Sequence, residues 1–413
     1  MSKRNIYYYL ICIVILVSCH NSNNVKGEFI PILDVKTGLN NLTMLNLTEF
    51  KSNIRYVQLE TNDNCLVSNT VQNVYLEENK IFIRDNEPFL KVFDANTGKY
   101  LYNIGSKGQG PSELPYLRHV DMNVKEKSII LGWKKNYIYD FEGNHLKDID
   151  LPKFLSSDSN DIISDNVIML DENLFSVGAY TVHDHQINAV IIFDEYSNII
   201  NTLKSYDDYI QHPTIKTFST YDQLGFYYRY MGRVHFSRGL CDTIYVYNPS
   251  TLSFEPQYFF SYGEHRRSRY YVHESTTNKE EISEREISES DKFIFVNFWT
   301  NRASTEPYNE IINMDGRIVE RINNSIYAVF DKHKNTFNFL LQPIKGIKGL
   351  ANDIDNGIPF WPKYISSKNE FIDIIQAFDF INYAAKIPNA DSSFLKFLEG
   401  VVEDDNPIII IAY

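Results

Sequence analysis

Cysteine, methionine and tryptophan are scarce, with four, six and three copies in 413 residues. Two of the cysteines, Cys12 and Cys19, lie near the N-terminus, which leaves Cys65 and Cys241 for the body of the chain. The latter two are far apart in sequence and no spacing supports a disulfide between them, so they are read as buried and unpaired thiols. Basic residues are outnumbered by acidic ones, 40 to 53, for a net charge of −13. A nucleic-acid surface needs a clustered basic face, so no nucleic-acid partner is expected. No apolar run approaches the roughly 20 residues of a membrane-spanning helix. Catalytic signatures are missing too: there is no G-x-S-x-G elbow and no H-E-x-x-H helix. Gly105-Ser-Lys-Gly-Gln-Gly110 does not fit P-loop spacing and reads as a connector between strands. His183-Asp184-His185 lacks a third metal ligand, and Asn352–Gly357 lacks the distant glutamate of a calcium loop. The latter reads as an Asx-type turn. No metal and no cofactor are expected.

What the chain does have begins with an address. Lys3 and Arg4 precede a short apolar run, Ile6–Val17, and then Leu16-Val17-Ser18-Cys19. A basic start, a short apolar core and a small-residue cleavage site describe a secretory signal. The final tetrad resembles the lipobox of bacterial lipoproteins, in which the cysteine becomes the acylated N-terminus. The expected organisation is a lipoprotein signal peptide over 1–18, lipidated Cys19 with a tether over 19–50, and a folded body over 51–413. The expected location is the cell envelope, lipid-anchored, on either side of the outer membrane.

Tyrosine (29) and phenylalanine (27) are abundant, which favours strands. A phrase recurs: VFDANTGKYLYNIG from Val92, IYDFEGNHLKDIDL from Ile138, IIFDEYSNIINTL from Ile191, IYVYNPSTLSFEP from Ile244 and IINMDGRIVERI from Ile311. Each copy is two β-rich runs around a turn of Asp, Asn, Gly or Ser, a hairpin repeated at roughly the period of a propeller blade. Four-stranded blades follow at 71–104, 119–151, 167–203 and 225–261. A fifth is read from Phe293–Phe298, Glu310–Asn313 and Arg317–Ile322, and a sixth from Ile326–Phe330 and Thr336–Leu341. The lone strand Ile54–Glu60 is placed to complete the last blade and close the ring, removing sheet edges. The expected fold is all-β, a single six-bladed β-propeller closed by an N-terminal strand. It carries an insertion over 264–291 between blades four and five and a helical segment over 371–400, where apolar residues recur at helical spacing.

YVQLET (Tyr56–Thr61), VFDANTGKYLYNIGSKGQGP (Val92–Pro111), TIYVYN (Thr243–Asn248), NDIDNGIPFWP (Asn352–Pro362) and DNPIIIIAY (Asp405–Tyr413) together resemble the six-bladed β-propeller lipoproteins of Bacteroidota, related in shape to NHL-repeat propellers. The resemblance covers nearly everything after the signal and implies a fold and an envelope location, but no reaction. Ser112 departs from it, standing where that family often has a glycine.

Strand order maps the loops. Connections after the second and fourth strands of every blade share one face, and loops on a rigid scaffold commonly supply binding side chains. That face is expected to present Arg84, Trp133, Lys134, His183, His185, Arg238, Trp299 and Arg302. Aromatic faces stack on sugar or peptide rings and Arg forks grip carboxylates, so a glycan, a peptide or an envelope protein partner is the expected ligand. A binding or assembly module is favoured, with no catalytic residue assigned. The alternative is a lyase or hydrolase in the propeller channel, which requires His183 or His185 to converge with Arg238, Arg302 or an acid.

Overall fold

The computed structural model describes residues 30–133, 135–153, 162–181, 188–204, 225–238, 242–266, 280–301, 309–314, 317–322 and 324–413. The described chain starts with β1 (Ile32–Leu33), α1 (Val35–Leu39), β2 (Leu42–Thr43) and β3 (Ile54–Gln58). Blade 1 is then β4 (Asn73–Glu77), β5 (Lys80–Arg84), β6 (Leu90–Asp94) and β7 (Tyr100–Ile104). Blade 2 is β8 (His119–Asn123), β9 (Ser128–Gly132), β10 (Asn136–Asp140) and β11 (His145–Ile149). Blade 3 is β12 (Ile162–Asp171), β13 (Leu174–Thr181), β14 (Asn188–Asp194) and β15 (Ile199–Lys204). Blade 4 is β16 (Gly225–Tyr230), β17 (Arg233–Arg238), β18 (Thr243–Asn248) and β19 (Ser253–Phe260), with β1 added in parallel to its outer edge.

The recurring phrase is the outer hairpin of a blade, and its turn explains why the composition repeats. Asp94 Oδ1 accepts from the Asn96 and Thr97 amides at 3.0 and 2.8 Å. Asp140 Oδ1 does the same for Glu142 and Asn144, and Asp194 Oδ1 for Tyr196 and Asn198. Each aspartate carboxylate closes the turn by taking main-chain amides that no strand can satisfy. Side-chain hydrogen bonds from Thr97, Asn144 and Asn198, joined by those amides, hold the Asp94, Asp140 and Asp194 carboxyls below their usual range, Asp140 despite the opposing effect of burial.

Blades 5 and 6 correct the sequence reading. Blade 5 is β20 (Ile282–Glu289), β21 (Phe293–Thr300), β24 (Ser325–Asp331) and β25 (Thr336–Leu340), with β2 on its outer edge. Its true outer hairpin turns at Asp331, which accepts from the His333 and Lys334 amides. The copy at Ile311 is instead β22 (Asn309–Met314) paired with β23 (Arg317–Ile322), a separate two-stranded sheet between β21 and β24. A hairpin has the same local chemistry wherever it stands, so the phrase could not tell the two apart. Residues 282–289, assigned above to an insertion, form the inner strand of blade 5. The assigned helical segment begins with strand β27 (Phe371–Ile375), and helices α2 (Ala377–Ala384) and α3 (Ser392–Leu398) follow it.

Blade 6 is β26 (Tyr364–Ile365), β27, β28 (Ile408–Ala412) and finally β3. The N-terminal strand therefore closes the ring, as expected, pairing Ile408 with Gln58 through Ala412 with Ile54. The run Ile408–Ile411 is continuously apolar because it is covered on both faces. Ile408 and Ile410 join a cluster with Phe295 and Val329 of blade 5, whereas Ile409 and Ile411 join one with Val74 and Ile83 of blade 1. Four further clusters fill the remaining blade junctions, from 1/2 to 4/5. Ile410 is fully buried at the junction of blades 5 and 6. Ile410→Ala is expected to lower stability by about 3 kcal/mol, from lost transfer energy and the cavity left behind. Urea unfolding of both chains checks this, and a loss below about 1 kcal/mol would mean the junction is not tightly packed.

Candidate functional site

Antiparallel order divides the connections between two faces, and the division is lopsided. On one face lie the turns 78–79, 124–127, 172–173, 231–232, 290–292 and 366–370, and the outer turns 95–99, 141–144, 195–198, 249–252 and 332–335. None exceeds five residues. The tightest need left-handed backbone: Met231 and Gly232 sit at φ +50° and +72°, the type I′ pattern that matches strand twist. On the other face the described connections include 59–72, 105–118, 341–363 and 376–407, together with the short 85–89. Helices α2 and α3 and the β22–β23 hairpin all belong to this long-loop face.

A channel of about 1020 Å³ follows the ring axis and is walled by the inner strands β4, β8, β12, β16, β20 and β26. It reaches the long-loop face beside Asn69, Gln72, Gln376 and Asp379, and the opposite face beside Met231 and Asp291. Charged groups inside the wall are tied across blades. Arg229 of β16 donates to Asp121 of β8 through Nε (3.1 Å) and Nη2 (2.6 Å), and Nη2 also donates to the Met169 carbonyl of β12. One guanidinium thus fastens three inner strands. Glu289, fully buried, accepts from Tyr228 Oη (2.9 Å) and Tyr258 Oη (2.7 Å) and lies 2.6 Å from Lys332 Nζ. Glu77 accepts from Tyr364 Oη and the Ser367 amide, both at 2.8 Å, joining blade 1 to blade 6. Buried charges of this kind are stable only when every partner is in place.

At the long-loop mouth, Arg84 ends β5. It donates through Nη1 to Asn73 Oδ1 (3.2 Å) and through Nη2 to the carbonyls of Leu117 (3.3 Å) and Arg118. Burial pulls its pKa below the usual arginine value. His119 lies close by, fully enclosed; burial, followed by the charge of Arg84, pushes its pKa down to about 3, so the imidazole is neutral. His235, stacked on Tyr228 at 4.7 Å, is likewise driven by burial to about 4.

The profile of the family described as "Domain of unknown function (DUF4934)" matches residues 30–413. The chain belongs to the DUF4934 family. No curated protein matches it. A structure from Bacteroides fragilis NCTC 9343, whose description is that of an exported protein, is similar to it with a TM-score of 0.64 at 18% identity, over 93% of this chain and 99% of that one. This likeness supports the propeller fold. U3-55K (TM-score 0.41, 10% identity, 87% and 98% coverage) is a much weaker match. So is a DUF4221 member from Bacteroides vulgatus ATCC 8482 (0.38, 8%, 70% and 93%).

In this DUF4934 propeller the expected loop-face residues do not form one cluster among the described residues. Arg84 lines the channel. Trp133 packs edge-on against Tyr116 at 6.4 Å, and Trp299 pairs in β21 with Ser283 and Ser325; neither lines the channel. Lys134, His183, His185 and Arg302, the side chain of Arg238, and Cys19 with the signal segment lie outside the described residues. So does Cys241, while Cys65 is a buried free thiol bonded to the Glu60 carbonyl. Asn352–Gly357 is the Asx-type turn expected: Asp355 Oδ1 accepts from Tyr56 Oη, Asn352 Nδ2 and the Gly357 amide. Gly105–Gly110 connects β7 to β8, and Ser112 adopts φ +60°, a conformation a glycine would take without strain. The channel wall itself (Asp121, Arg229, Glu289, Glu77) was missed. Its signal was a charged residue inside or closing an apolar inner strand, as in FYYRY and VDMN.

Behind this wall Glu284 is buried between blades 4 and 5, accepting from Ser237 Oγ (3.2 Å) and Tyr262 Oη, with Asp242 as a nearby like charge. Burial outweighs the two hydrogen bonds and raises its pKa to about 7 from 4.5. The folded state therefore holds a proton that the unfolded chain has released. The stability this contributes is complete below pH 4.5 and is lost as pH rises through 7, about 3 kcal/mol in all. Glu284→Gln is expected to remove that decline and to gain most, relative to wild type, above pH 7. Urea titrations at pH 5, 6, 7 and 8 check it; parallel curves for the two proteins would contradict the assignment.

Proposed function

We propose that this DUF4934 protein is a non-enzymatic binding module of the cell envelope, which receives a glycan at the channel mouth on its long-loop face. One observation carries the reading: among the described residues the extended connections 59–72, 105–118, 341–363 and 376–407 all lie on one face, around one mouth of an axial channel, while the other face carries turns of five residues or fewer. Long connections are costly to order and commonly carry recognition on a rigid frame. A channel of about 1020 Å³ has the size of a ligand pocket.

The membrane address belongs to the same proposal. The signal over 1–18 exports the chain, and acylation of Cys19 tethers it, so that the propeller stands free of the bilayer. Cys19→Ser is expected to move the protein from the detergent-extracted membrane fraction to the soluble fraction of the producing cell. Unchanged membrane partition would sink the lipid anchor.

For binding, the full chain is titrated calorimetrically against panels of glycans and envelope proteins. Asn69→Trp, which narrows the long-loop mouth, should weaken glycan binding at least tenfold, about 1.4 kcal/mol. Lys334→Ala, on the tight-turn face, should leave it unchanged. Silence from both panels, or equal effects of the two substitutions, would contradict the reading.

A further inference from the structure

Among the cations lining the channel, Arg229, Lys363 and Lys125 each hold a carboxylate, Asp121 at 2.6 Å, Asp373 at 3.1 Å and Glu126 at 2.9 Å, and Arg285 is engaged as well. Arg84 holds none among the described residues. Its three hydrogen bonds go to one side-chain amide oxygen and two main-chain carbonyls, all neutral. Nε is buried with no acceptor and out of a ligand's reach, so of the five guanidinium N–H groups one on Nη1 is left to meet a ligand. A half-buried fixed charge without a countercharge attracts an anion, and the pull is stronger where the surroundings exclude water. The neighbouring imidazole of His119 is neutral and offers no compensating charge.

The surroundings of Arg84 narrow the anion. Asn69, Gln72, Asn73 and Gln376 line the same mouth. Several of their amide groups are already engaged: Gln72 Nε2 donates to Asn86, Asn73 Oδ1 accepts from Arg84, and Gln376 Nε2 donates to the Ser68 and Asn69 carbonyls. That leaves the carbonyl oxygens of Gln72 and Gln376 and the amide nitrogen of Asn73, acceptors and a donor matched to hydroxyls, which both donate and accept. Asp379 of α2 lies on the blade 6 side of the mouth and repels a carboxylate from there. The anion is thereby directed to blade 1.

We infer that Arg84 is the carboxylate-recognition residue of the channel, and that the ligand is a glycan bearing uronate residues. The inference rests on the proposal that this mouth binds a glycan, and deepens it. The side-chain amides beside Arg84 fit the hydroxyls of a sugar, and the peptide arm of the test below decides between a sugar and a peptide carboxylate.

The test is calorimetry on the full chain with oligomers of galacturonate, glucuronate and mannuronate, each also as its methyl ester, and with short peptides ending in a free carboxylate. Loss of one charge-assisted hydrogen-bonded pair should make the ester of the bound sugar about ten- to a hundredfold weaker than the acid. Arg84→Gln should abolish that preference while leaving ester affinity unchanged, and Arg84→Lys should retain part of it. Equal binding of acid and ester by the wild-type chain would overturn the role of Arg84 and leave the glycan-binding proposal standing. Binding of the peptides alone would overturn the sugar assignment, and silence across the whole panel would overturn both. Should Arg84→Gln fail to fold, the acid-to-ester ratio of the wild-type chain and its fall with added salt still decide the matter.

Discussion

The structure depends on one pairing, that of β3 with β28, which joins the two ends of the described chain into a single sheet. A row of blades without it would expose two faces and an open edge, with β28 presenting bare isoleucines and unpaired main-chain groups. With it, six apolar clusters, one at each blade junction, become a closed circuit. The same closure creates the channel, because six inner strands can surround an axis only if the last blade meets the first. Glu77 shows how the polar wall uses the meeting of last and first blades: its partners Tyr364 and Ser367 come from blade 6, whose outermost strand is β3.

The N-terminal stretch does more than close the ring. On its way to β3 it runs along the outside, adding β1 to blade 4 and β2 to blade 5. Leu33 and Val35 are buried in the junction of blades 4 and 5, and Leu47 in that of blades 5 and 6. Asp353 then fastens the strap by accepting from the Thr48 amide at 3.0 Å. The strap covers the outer edges of two blades, so it is both edge protection and a stitch across junctions.

Much of this was legible because an aspartate-capped turn between two apolar runs is a local device, visible wherever it recurs. The blade count and the closing strand followed from it. The same locality caused the misreading of β22–β23, whose hairpin chemistry is indistinguishable from that of an outer blade hairpin. Strand β20 was hidden by its composition, ISEREISE, in which polar residues face the channel or, like Glu284 and Glu289, find partners across a junction. Blade 6 was obscured because its strands come from both ends of the chain and are separated by two helices. The candidate site was the least legible part. Reasoning from loop positions found Arg84 but not Asp121, Arg229 or Glu289, whose roles arise from contacts between blades far apart in sequence.

Native-state hydrogen exchange across the whole chain tests the closure most directly. If the ring is held by β3 and β28, the amides of Ile409, Ile410 and Ile411 and of their partners Arg55, Tyr56 and Val57 exchange only through global unfolding. They should then share one opening free energy with the central strands of blades 1 and 5. Exchange of β3 and β28 at a markedly lower opening free energy, with the other blades still protected, would show that the ring persists unclosed and would contradict the account.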